Sequence, residues 1–117
     1  MVEEKRRYPR LNKVLPLKIS SQDFDIVTQT KNLSCIGAFC SINTYLAPMT
    51  KLKITLLLPE KKDSLTSKSS KKVSCMGVVV RIEETHHSNY NIAIFFEQIK
   101  ERERLKLERY IQEHLGV

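Results

Sequence analysis

Residues 23–43, DFDIVTQTKNLSCIGAFCSIN, hold two strand-like runs on either side of a polar joint. In the first run β-branched residues alternate with polar ones, which predicts a strand from about Phe24 to Lys31. Residues 37–43, GAFCSIN, predict the next. The joint between them, Asn32 to Gly37, is of hairpin length and leaves no room for a crossover helix. Its polar side chains fit an ordinary hairpin, with Asn and Ser bonding their own backbone. They also fit a binding edge, because Asn32 and Ser34 are two apart and face the same way on an extended chain. Asn32 offers an amide that can donate and accept, Ser34 a hydroxyl, and Gly37 a residue free to take positive φ.

The same period runs outward in both directions. In residues 14–20, VLPLKIS, Leu15, Leu17 and Ile19 share one face, and Pro16 predicts an unpaired outward edge. TKLKITLLLP, ended by Pro59, predicts a fourth strand, and KVSCMGVVVRIEE a fifth that bends at Gly77. ETHHSN predicts a turn, and YNIAIFFE a sixth strand with Ile92, Ile94 and Phe96 on one face. From Lys100 to Leu115 the period changes. Leu107, Tyr110, Ile111, His114 and Leu115 form one helical stripe, ended by Gly116. Six short strands at hairpin spacing followed by one helix predict a small, mainly β antiparallel barrel, with the helix over one end or face.

The chain has 117 residues, enough for one domain and one modest core. It carries a net charge of +7, which favours anionic partners. Six of the seven excess charges lie in residues 1–13 and 60–72. The first segment predicts a flexible basic arm ahead of a barrel domain over residues 14–117. The second predicts a mobile hairpin loop. Neither a secretory signal nor an apolar run of spanning length is visible, so a cytoplasmic protein without membrane insertion is expected. Three cysteines, Cys35, Cys40 and Cys75, lie in strand-like contexts without metal spacing and are expected to be buried thiols. Glu83, Glu84, His86 and His87 cluster in a turn where neighbouring side chains diverge, a poor metal site. With no phosphate loop and no nucleophile motif, neither catalysis nor a cofactor is expected.

Within the arm, in KRRYPRLNK (residues 5–13), Pro9 disfavours helix at Tyr8, so the segment is expected to be extended. Arg6 and Arg10 would then point to one side, roughly 13 Å apart at ~3.3 Å per residue. Each guanidinium can fork onto a phosphate or a guanine edge, or stack on a base.

Together, Arg6-Arg7-Tyr8-Pro9-Arg10 and Asn32-Leu33-Ser34-Cys35-Ile36-Gly37 resemble the PilZ domain family, whose signature is RxxxR followed by [DN]xSxxG. GVVVRIEE and NYNIAIFF resemble its later strands, with Ala93 where the family often has Gly, a small change expected to alter packing without touching either motif. The resemblance implies a six-stranded antiparallel PilZ-type β-barrel with a C-terminal α-helix. It also implies a bacterial receptor or adaptor for the second messenger cyclic di-GMP. By that resemblance Arg6 and Arg10 would clamp the ligand, Asn32 and Ser34 would bond a guanine, and Gly37 would hold the turn. Lys5 and Arg7 would add phosphate contacts. Ligand binding would order the arm and change the surface offered to a downstream protein. Two other readings are a PilZ-like interaction module without ligand and a small basic barrel for single-stranded nucleic acid. The thin aromatic content, 7% with no Trp, argues against nucleic acid as a partner.

Overall fold

The structure, a computed structural model, describes residues 8–59 and 70–115. Six strands are present: β1 (Pro16–Ser20), β2 (Asp25–Ser34), β3 (Gly37–Ile42), β4 (Lys51–Pro59), β5 (Ser70–Glu84) and β6 (Tyr90–Gln98). One helix follows, α1 (Glu101–His114). Every strand pairing is antiparallel, and the order β1-β2-β3-β6-β5-β4 closes into a barrel. Closure pairs both edges of every strand, which removes the exposed edge that an open sheet would leave.

Alternation does the folding work. Leu15, Leu17 and Ile19 face inward, as do Leu52, Ile54, Leu56 and Leu58 of β4 and Ile92, Ile94 and Phe96 of β6. Pro16 pairs with β2 but has no partner on β4, whose pairing with β1 begins at Leu17. The missing amide hydrogen therefore costs no ladder bond. The β5–β6 register shifts between Met76 and Gly77, where the bend is expected, and it does so without a positive φ at Gly77. A Cβ there would lie 2.7 Å from Ile94 Cγ2 and 3.1 Å from Ile54 Cγ1, so the barrel interior has no room for one.

Three boundaries differ from expectation. β2 continues to Ser34 because a one-residue bulge at Lys31 lets pairing with β3 resume at Asn32. β5 begins at Ser70, so residues 70–72 belong to a strand paired with the end of β4 rather than to a loop. The remainder of that loop, residues 60–69, lies outside the described residues, as does Gly116. The helix ends at His114, with Leu115 as its cap.

The three cysteines are free and buried. Burial raises all three thiol pKa values, those of Cys40 and Cys75 to about 12.

α1 covers the barrel with Leu107, Tyr110 and Ile111. Its polar residues solve a problem left by β5, which runs past the end of β6. The Ser74 amide, beyond the last β6 partner, donates to Glu103 Oε1 at 2.8 Å. Two residues back, the Lys72 carbonyl accepts from Lys106 Nζ at 2.9 Å. Lys106 also pairs with Glu103 at 3.0 Å. The helix thus replaces a seventh strand along this stretch. Partial burial pushes the Glu103 carboxyl up, but the Ser74 amide and the Lys106 ammonium outweigh it and hold the group below the usual carboxylate range.

A carboxyl lowered on folding stabilises the fold at neutral pH, and that contribution is lost as pH falls through its depressed value. Glu103→Ala should therefore lower the unfolding free energy by about 1–3 kcal/mol in neutral urea melts. The gap between wild type and variant should close on acidification; a gap that persists in strong acid would show that the contact is not ionic.

Candidate functional site: a cationic cleft on the outer barrel wall

Two bulges decide which side chains reach the outer wall. Along β2, Ile26, Thr28 and Thr30 lie on the inner face, and simple alternation would send Asn32 and Ser34 inward after them. The extra residue Lys31 shifts the phase, so Leu33 becomes the buried residue at 0% exposure and Asn32 and Ser34 line the outer face. A one-residue slip exchanges the two faces of a strand. Along β5, Val73, Cys75, Gly77 and Val79 are buried, and alternation would bury Arg81 next. A second bulge at Val80 reverses that, leaving Val80 and Arg81 both exposed.

The registers then set these residues in one row. Asn32 lies opposite Phe39, Phe39 opposite Ala93, and Ala93 opposite Arg81, across β2, β3, β6 and β5. Ala93, small and half-buried, forms the floor between Phe39 and Arg81. It lines the cleft although it belongs to neither motif. The Arg81 guanidinium lies 5.9 Å from the Phe39 ring centroid and Lys31 Nζ lies 6.0 Å from it, both within cation–π range. Lys31 is held there by Asn91 Oδ1 at 3.0 Å, which also accepts from the Ser41 hydroxyl at 2.7 Å.

Arg10 joins this row through the backbone. Leu11 and Leu33 exchange two hydrogen bonds, at 2.7 and 3.0 Å, and both side chains are buried. That bridge sets Arg10 beside Ser34. Behind it, buried Thr30 secures the chain: its hydroxyl donates to the Lys13 carbonyl at 2.6 Å and accepts from the Leu15 amide at 3.0 Å. Within the expected arm, residues 8–13 are therefore anchored by Leu11. The expected extended run through residues 6–10 begins outside the described residues, which start at Tyr8. Tyr8 lines the cleft and, with Pro9, a small recess beside Cys35 and Ile111 of α1. Lys5, Arg6 and Arg7 lie outside the described residues.

The cleft that results is about 440 Å³ and gathers Arg10, Asn32, Ser34 and Gly37 with Phe39 and Arg81. No carboxylate lines it among the described residues, so its guanidinium charges are uncompensated. Ser34 Oγ accepts from the Ile36 amide at 3.2 Å, the local bond of an ordinary hairpin, which leaves its O–H free to donate outward. The φ of Gly37 lies outside the left-handed region, so positive φ is not why glycine is needed. A Cβ at Gly37 would instead collide with the Ile94 carbonyl oxygen on β6. Glycine lets β3 and β6 approach closely under the cleft.

Sequence reasoning missed Arg81 and Phe39. Arg81 stands in a run of valines whose phase the bulge reverses, and no local pattern marks that reversal.

The fold is a small closed antiparallel barrel whose outer wall carries a cationic cleft, free of carboxylates among the described residues. The PilZ domain family matches residues 4–113, and the chain belongs to it. Among solved structures it is similar to the inhibitor of motility MotI/DgrA of Bacillus subtilis, with a TM-score of 0.81 and 19% identity over 97% of this chain. It covers 52% of that protein, so this chain spans about half its length. It is also similar to the PilZ domain of YcgR from Escherichia coli with c-di-GMP, with a TM-score of 0.64 and 14% identity. That match covers 94% of this chain and 91% of the other. At these identities the likeness is one of fold. A search of curated proteins finds no significant relative. Among the described residues no helix is long and apolar enough to cross a membrane.

Gly37→Ala must push β6 away from β3 and should cost about 1–3 kcal/mol of stability, the usual penalty for overpacking. Urea denaturation checks this; an unchanged midpoint would mean that the two strands separate freely.

Proposed function

We propose that this chain is a receptor for cyclic di-GMP and acts as an adaptor rather than an enzyme. The observation that carries the proposal is the convergence of Arg10, Asn32, Ser34 and Gly37 in one carboxylate-free cleft. The YcgR structures described with c-di-GMP share the fold and support the ligand's identity.

The ligand suits the cleft chemically. It offers two phosphates for guanidinium forks and two guanines with O6 and N7 acceptors. Arg10 lies at one end of the row and Arg81 at the other, so two guanidiniums flank the floor. From β2 to β5 the row spans about 14 Å of curved sheet, at ~4.8 Å per strand. In this reading Asn32, whose amide has no partner among the described residues, bonds a guanine edge, and the free Ser34 O–H donates beside it. The Arg81–Phe39 pair presents a flat cationic wall on which a base stacks. Arg6, four residues before Arg10, completes the clamp, with Lys5 and Arg7 adding phosphate contacts. Ligand then draws the arginine arm against the barrel, and the altered surface is what a downstream protein reads.

Calorimetric titration with cyclic di-GMP tests this. Micromolar or tighter binding is expected. A charge-assisted bond is worth ~1.5–3 kcal/mol, so Arg10→Ala should weaken binding about tenfold or more. Arg6→Ala, Arg81→Ala and Ser34→Ala should each weaken it too. Absence of heat, or unchanged affinity in both Arg6→Ala and Arg10→Ala, would overturn the reading. Hydrogen exchange should slow across residues 1–13 on adding ligand, and equal protection in both states would remove the arm from the mechanism.

A further inference from the structure

A second concavity, of about 840 Å³, lies where β4, the first half of β5, the end of β6 and the start of α1 meet. It shares no lining residue with the cleft, so its role is independent of the receptor reading. Its rim carries Lys53, Lys72, Lys100, Arg102 and Lys106. Among the described residues the ammonium groups of Lys53, Lys72 and Lys100 have neither a hydrogen bond nor an ion pair. Arg102 is 85% exposed in its side chain and reaches Glu103 only at 4.0 Å.

The two carboxylates of the groove are already committed. Glu103 accepts from the Ser74 amide and pairs with Lys106, and Glu97 pairs with Lys51 at 2.9 Å. The rim therefore keeps a positive excess, with Lys53, Lys72 and Lys100 lacking a carboxylate partner among the described residues. Beneath it the floor is apolar: Met76 is 40% exposed, and Ile99 packs half-buried against the core.

We infer that this groove docks an acidic segment of a partner protein, one in which carboxylates flank an apolar side chain. The complementarity is specific in kind. Carboxylates would meet the unpaired lysines while the apolar side chain covers Met76 and Ile99, which removes apolar surface from water. The volume admits a few side chains rather than a folded domain. A nucleic-acid strand fits less well, because among the described residues no aromatic side chain lines the groove to stack on a base.

The full chain can be tested by fluorescence anisotropy with a short labelled peptide of Glu and Asp around a central Leu, and with its Lys counterpart. The acidic peptide is expected to bind, more weakly as salt rises. The triple variant Lys53→Glu, Lys72→Glu, Arg102→Glu should weaken that binding about tenfold or more and take up the Lys peptide instead. Gain of the Lys peptide shows that the variant is folded, and Lys53→Glu alone should give a smaller loss. Arg109→Glu, at an exposed cation of α1 outside the groove's lining, should leave peptide binding unchanged. The inference is overturned if the acidic peptide fails to bind or if the triple variant binds it unchanged. It is equally overturned if a single-stranded oligonucleotide binds more tightly through the same lysines.

Discussion

The cleft rests on a constraint of phase. In a barrel this small, each strand must bury one side of its pleat, and every second residue is committed to the core. Extra residues at Lys31 and Val80 reset that commitment on β2 and β5. They convert Asn32, Ser34 and Arg81 from interior positions into outer-wall positions and place Leu33 inside. A buried, unpaired guanidinium at Arg81 would be costly, and polar Asn32 and Ser34 would need interior partners. The bulges thus serve the fold and the site together: Leu33 in the core is what pairs with Leu11, and that pairing brings Arg10 to Ser34.

The site's charge follows from the same geometry. Arg10 and Arg81 face a floor of Gly37 and Ala93, whose small size keeps it open. Lys31, the bulged residue itself, also lies within reach of the Phe39 ring and is tied down by Asn91. The net charge of +7 therefore includes cations with separate tasks. Some flank the cleft, some ring the groove beside α1, and Lys106 with Glu103 seals the part of β5 that β6 leaves unpaired.

Much of this was legible in the residues. Leu15, Leu17 and Ile19, or Ile92, Ile94 and Phe96, announce their faces by spacing alone, and the shift to a helical period after Lys100 is equally plain. Asn32 and Ser34 could be matched to Arg10 because two short motifs occur in order. The illegible part depends on non-local register. Nothing near Arg81 shows that it ends up level with Ala93 and Phe39, because that follows from pairings among β3, β6 and β5 together. The length of β2 was misjudged for a related reason, since an extra residue such as Lys31 looks like the end of an alternating run. At Gly37 the residues suggest a need for positive φ, whereas glycine is required by the close approach of Ile94, on a strand more than fifty residues away in sequence.

The outer wall formed by β2, β3, β6 and β5, with Arg10 beside it, is the proposed seat of the cyclic dinucleotide. The most direct test is an amide NMR titration of the full chain with cyclic di-GMP. Shifts confined to the arm up to Arg10, Asn32 to Phe39, Arg81 and Ala93 to Phe95, with β1 and the outer face of β4 silent, are the predicted result. Shifts centred on β1 and β4, or none at saturating ligand, would contradict it.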